Sequence, residues 1–142
     1  MAANTLPISP IAPAGSWNPV ALTTANVALN GTGTVGTDIE LIHTAGANGS
    51  RVPRVRVVHR GTNIATVLRV FQNNGATNAT PANNTLVAEE TIAANTLSQV
   101  AKSVFYDIYL NVVLKPTYRL YYTIGTAVAA GHAVSTPDAG DY

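Results

Sequence analysis

Seven carboxylates and three histidines are the groups in this chain that can move protons or hold a metal. The acids are Asp38, Glu40, Glu89, Glu90, Asp107, Asp138 and Asp141. Glu89 and Glu90 are adjacent, so in an extended strand they face opposite sides and cannot form the carboxylate pair of acid–base hydrolysis. Asp38 and Glu40 share a face and admit a Ca²⁺ reading. No EF-hand spacing accompanies them, and a solvated strand edge is the plainer account. Asp107 sits between aromatics in an apolar run, which leaves it facing outward or paired with an arginine. His43, His59 and His132 are far apart, and their spacing neither predicts nor forbids a three-histidine metal site. Gly31-Thr32-Gly33-Thr34-Val35-Gly36 superficially resembles a phosphate loop, yet no lysine follows and no helix N-terminus waits to hold the phosphate. A flexible strand connection accounts for it. No nucleophile-elbow pattern frames a serine. There is no cysteine, which excludes disulfides, thiolate metal sites and cysteine nucleophiles. The expectation is a protein without catalytic residues, cofactor or bound metal.

Two other groups of residues point to binding. Arg51, Arg54, Arg56, Arg60 and Arg69 fall in or beside two consecutive strand-like runs, and period-two alternation puts Arg54, Arg56 and Arg60 on one face. Such a face is simply solvated, or a basic stripe that meets an acidic partner surface through bidentate pairs, or a contact to nucleic acid, which the absence of clustered lysine disfavours. The second group is the N-terminal arm, residues 1–20. Pro7, Pro10, Pro13 and Pro19 recur there among Leu6, Ile8, Ile11, Ala12 and Trp17. Recurrent proline removes donors and fixes φ, so extended or polyproline-like backbone is expected. The arm is too apolar for a solvated tail. It either folds back on its own domain or lies on a neighbouring subunit, with Leu6, Pro7, Ile8, Pro10, Ile11 and Trp17 as contacts.

The elements that must position these groups are strands. Asp38–Thr44 and Val52–Arg60 alternate, and in the second of them Val55 and Val57 oppose Arg54, Arg56, Val58 and Arg60. Gly61-Thr62-Asn63 reads as a turn returning the chain into Ile64–Gln72, which makes these two runs a hairpin. Residues 73–84 are a loop, because Asn and Gly tolerate positive φ and Pro81 breaks a ladder. Leu86–Ile92, Val104–Val113, Tyr118–Ile124 and Gly131–Thr136 follow as strands. A weaker strand lies near Val20–Leu29, and Pro137–Tyr142 closes the chain as an acidic tail. About eight strands, with no lasting helical period, predict one all-β sandwich or jelly roll over residues 21–142.

Composition bounds the partners. Charged residues are 11% of the chain, less than half of the usual share of about 25%. A surface so poor in charge has little electrostatic defence against association. The net charge of +1 argues against nucleic acid and against an anionic membrane surface as partners. Met1–Pro10 lacks the basic start of a secretory signal, and no apolar run approaches the roughly 18 residues of a membrane span.

Two segments resemble small proteins in the virions of tailed bacteriophages. One is Val67–Thr85 (VLRVFQNNGATNATPANNT), the other Tyr118–Tyr142 (YRLYYTIGTAVAAGHAVSTPDAGDY). The similarity extends over about Asp38–Tyr142 and does not include the arm. It implies a capsid decoration, or cement, protein with a jelly-roll-like sandwich, built as a homo-oligomer (trimer or dimer) that binds the major capsid protein. Such a protein is made in the host cytoplasm and sits on the capsid exterior. Two alternatives remain open from sequence. One is a tail or head-completion component. The other is a carbohydrate- or receptor-binding sandwich with Tyr106, Tyr109, Tyr121 and Tyr122 as a stacking platform.

Overall fold

In the computed structural model, residues 12–17 and 20–142 are described. They form two antiparallel sheets packed as a sandwich. Sheet A contains β1 (Ala12–Pro13), β2 (Ser16–Trp17), β4 (Ser50–His59), β7 (Phe105–Leu114), β9 (His132–Thr136) and β10 (Gly140–Asp141). Sheet B runs in the order β3 (Ile39–Thr44), β8 (Arg119–Ile124), β5 (Thr66–Asn73), β6 (Asn84–Ile92). The all-β sandwich is therefore what alternation implied. No helix among the described residues is long and apolar enough to cross a membrane.

β4 organises sheet A. Along one side it pairs with β7 over nearly its whole length, and along the other with β10 at its start and β9 at its end. Val52, Val55 and Val57 are fully buried. Residues three apart cannot share a face in a regular strand. Val52 and Val55 both reach the core because the β4–β7 ladder shifts register between Val52 and Arg54. Pro53, which cannot donate to a ladder, lies in that gap. Opposite it, Asn111 takes φ +50. From sheet B, Leu68, Val70, Leu120, Tyr122 and Ile124 close on the same core.

The expected hairpin does not form. Val52–Arg60 and Ile64–Gln72 become β4 and β5, which lie in different sheets. Placing them in facing layers lets Val55 and Val57 pack toward Leu68 and Val70, where a hairpin would have set all four in one layer. The crossing is fixed by Asn63, which is buried. Its Nδ2 donates to the Gly131 carbonyl at 2.7 Å, and its Oδ1 accepts from the Ala130 N–H at 2.8 Å. The Asn63 and Asn95 backbones also bond reciprocally, at 2.9 Å each way. What reads as a tight turn is an anchored passage between layers.

Three further expectations change. Val20–Leu29 is not a strand: Leu22 enters the core, while Val27 and Leu29 stay in solvent. Pro137–Tyr142 is not a tail. Gly140–Asp141 pairs with both β1 and β4, and Ser50 donates its hydroxyl to Asp141 Oδ1. Within the arm, residues 12–13 and 16–17 are outer strands of sheet A, where Pro13 is tolerated because an edge leaves its side of the ladder open. Leu6, Pro7, Ile8, Pro10 and Ile11 lie outside the described residues.

The glycine-rich segment covers the outer face of sheet B. Phe71, Tyr121 and Ile39 are buried yet stand apart from the main core. Gly31 (φ +76) lies against Phe71, and a Cβ there would come within 2.9 Å of the ring and 2.8 Å of Asn84 Cβ. Only glycine accepts both the left-handed backbone and the contact. Gly31→Ala is expected to destabilise the fold by more than about 1 kcal/mol, read as a lower urea midpoint with unchanged slope.

Candidate interaction surface

Alternation turns Arg54 and Arg56 outward from β4, while their valine neighbours fill the core. Across the ladder, Arg56 stands directly opposite Asp107, Arg54 opposite Tyr109 and Val58 opposite Phe105. Arg56 grips Asp107 with two bonds of 2.8 Å, from Nε to Oδ1 and from Nη2 to Oδ2. Arg54 donates from Nη1 to Asp107 Oδ2 at 3.0 Å and from Nε to Asp138 Oδ2. Two arginines and two aspartates thus form one network on the outer face of sheet A. The Arg56 hydrogen bonds hold the Asp107 carboxyl below its ordinary range, with the Arg54 charge adding to them. The bond to Asp138 raises Arg54 and the bond to Asp107 raises Arg56. The face is basic in sequence and close to neutral in space.

Arg60 is exposed one residue past the end of β4, and its backbone N–H donates to the Gly131 carbonyl at 3.2 Å, which continues the β4–β9 pairing. Arg69 is on sheet B, paired with Glu89 at 2.9 Å on the opposing strand. Of the proposed arm contacts, only the Trp17 backbone is described, paired with Ser135.

Beside the network, β7 presents Phe105, Tyr109 and Val113 to solvent, at 60%, 71% and 63% exposure. The Arg56 guanidinium lies over the Phe105 ring, 5.9 Å from its centroid, where a cation gains from the ring quadrupole. Sequence reasoning reached this strand only through Tyr106 and Tyr109 of the alternative stacking platform, and did not single out Phe105 or Val113. The signal was present in the alternation Phe105, Asp107, Tyr109, Asn111, Val113. The same geometry dismantles the tyrosine platform. Tyr121 and Tyr122 are buried, and the Tyr106 hydroxyl accepts the Ala93 N–H at 3.0 Å. Of the four, only Tyr109 is free to stack on a sugar.

Two of the three histidines meet. His59 and His132 stand opposite each other on β4 and β9, with ring centroids 5.0 Å apart and the Tyr106 ring edge-on to His59. Both are buried, and none of their four ring nitrogens has a hydrogen-bond partner among the described residues. Burial, reinforced by the His59 charge, pushes His132 down to about 4, and burial lowers His59. His43 is lowered by burial too, against a raising effect of Asp141. Among the described residues, no three side chains of His, Cys, Asp or Glu gather as metal ligands. Asp38 is taken up in its own turn, accepting from the Thr34 N–H at 2.7 Å and Asn26 Nδ2 at 3.0 Å. Comparisons with protein families, curated proteins and solved structures returned no match.

Proposed function

We propose that this chain is a structural virion protein that binds the outer surface of a bacteriophage head and bridges neighbouring capsid subunits. The observation that carries the proposal is the outer face of β4 and β7. Its arginines are already compensated by Asp107 and Asp138, and large apolar side chains flank them. A surface of this kind can be desolvated against a partner without stranding a charge. It favours a permanent contact over a salt-sensitive encounter with an acidic patch, which would require the arginines to abandon Asp107. The two segments that resemble virion proteins also become neighbours: β5 and β8 pair from Leu68–Ile124 to Asn73–Arg119 at the centre of sheet B. Several modest contacts made at once by an oligomer would combine through effective concentration.

The test is to add the purified chain to expanded heads that lack it and image the particles by electron microscopy. Regularly repeated density on the outer surface is expected. A few copies at a vertex would favour a head-completion or tail role, and bare heads would overturn the proposal. The arm is tested by deleting residues 1–11. A longer cut would remove β1 and β2 as well. Occupancy should fall while the melting temperature holds; unchanged occupancy would remove the arm from the mechanism.

A further inference from the structure

One edge of β7 is hydrogen-bonded to β4, and the other pairs with no strand among the described residues. Natural edge strands are shielded by charge, lysine, proline or a bulge. β6, one edge of sheet B, follows that rule with exposed Glu89 and Glu90. β7 follows it only in part. It contains neither lysine nor proline, and its one charge, Asp107, is held by Arg54 and Arg56. The bulge at Asn111 lies toward its far end, which leaves Phe105–Leu110 regular.

We propose that β7 is where a second copy of this chain binds. The two β7 strands pair antiparallel about a two-fold axis, and sheet A continues from one subunit into the other. Three observations select a second copy as occupant. In a two-fold contact each patch meets itself, so its charges must already balance. Here Arg54, Arg56, Asp107 and Asp138 satisfy one another within one subunit. Apolar area contributes as well. Phe105 and Tyr109 leave on the order of 250 Å² in water. Val113, at 63% exposure, extends the same face, and the main-chain hydrogen bonds of a continued sheet add to what these side chains bury.

The third is register. Residues opposite each other on antiparallel strands share a face, so the axis must pass beside a residue and not between two. Centred on Asp107 it would set two carboxylates against each other, and centred on Tyr109 it would carry the Asn111 bulge into the ladder. Centred on Ile108 it sets Asp107 beside Tyr109 of the partner subunit and Tyr106 beside Leu110 of the partner subunit. That register avoids the carboxylate clash and confines the bulge to the last pair, Phe105 beside Asn111 of the partner subunit.

The experiment uses the full chain and needs no capsid, so it fails or succeeds separately from the decoration proposal. Sedimentation velocity over a concentration series should show a monomer–dimer equilibrium. Hydrogen exchange of the edge-facing amides in Phe105–Leu110 should slow about tenfold or more as dimer replaces monomer. The double substitution Phe105→Lys and Tyr109→Lys should yield monomer with the melting temperature of the dilute wild type, since both side chains are exposed. A chain that stays monomeric at its highest attainable concentration overturns the proposal, as does a dimer that survives the two lysines. Slow exchange of these amides in the monomer also overturns it, because one of the chain's own segments would then cover the edge.

Discussion

Acidifying this protein from pH 7 to pH 4 is expected to remove roughly 3 kcal/mol of stability, before any carboxylate contribution. The cause is the buried pair His59–His132. An imidazole in water takes a proton near 6.5, whereas His132 in the fold does so only at about 4. Below 6.5 the unfolded chain therefore binds protons that the folded chain refuses. The stability is whole above 6.5, drains as pH falls, and is spent by about 4. His59 and His43 are lowered as well and act in the same direction. Asp107, whose folded carboxyl is held low by Arg56, adds its own loss only below its ordinary value of 3.8, so the two windows are separable. For a domain of this size the fall corresponds to roughly 10 °C in melting temperature.

Substitution isolates the pair. His132→Leu keeps an apolar side chain of similar size and removes two unpartnered ring nitrogens, so it should cost little at pH 7 and can even stabilise. Its melting temperature should lose most of its dependence on pH between 6.5 and 4. A wild-type melting temperature that is flat across that window would refute the assignment. So would a variant that keeps the full slope, since the titrating group would then lie elsewhere.

The strands were legible because burial on one face writes itself as alternation. Val55 and Val57 against Arg54 and Arg56 needed no structure to sort. Which strand pairs with which was not legible. β4 passes over its sequence neighbour β5 for β7, β9 and β10, and that choice is set by how two apolar faces cover each other across the sandwich. The same limit applied to the surface. Asp107 could be read as outward or arginine-paired, but only the register puts it opposite Arg56 and within reach of Arg54. A stripe that looked basic along one strand became neutral through a residue some fifty positions away. The terminal residues misled for a related reason. Gly-Asp-Tyr is short and polar, yet Ser50 and the Gly49 carbonyl supply partners that hold it in sheet A.

Tyr122→Ala is expected to cost about 3–5 kcal/mol. Tyr122 is fully buried on β8, among Leu22 and the apolar residues of both sheets. Its hydroxyl has a separate task, which Tyr122→Phe exposes. It accepts the Leu22 N–H at 3.2 Å and donates to the Val20 carbonyl at 3.1 Å, tying segment 20–22 to sheet B. Without it the buried Leu22 N–H loses its partner, at a cost of about 1–3 kcal/mol. Alkaline pH distinguishes the hydroxyl from mere ring packing. Burial pushes the phenol up to about 12, from 10 in an unfolded chain. Above pH 10 the unfolded wild type releases a proton that the folded protein keeps, so stability falls as pH rises toward 12. Tyr122→Phe lacks that component, and its deficit relative to wild type should narrow between pH 10 and pH 12. Hydrogen exchange supplies the local check. The Leu22 amide should quicken more than the global stability change alone would produce, because the tie between the N-terminal segment and the sandwich loosens before the core does. An unchanged Leu22 amide would mean that apolar packing of Leu22, and not the hydroxyl, is what fastens this segment.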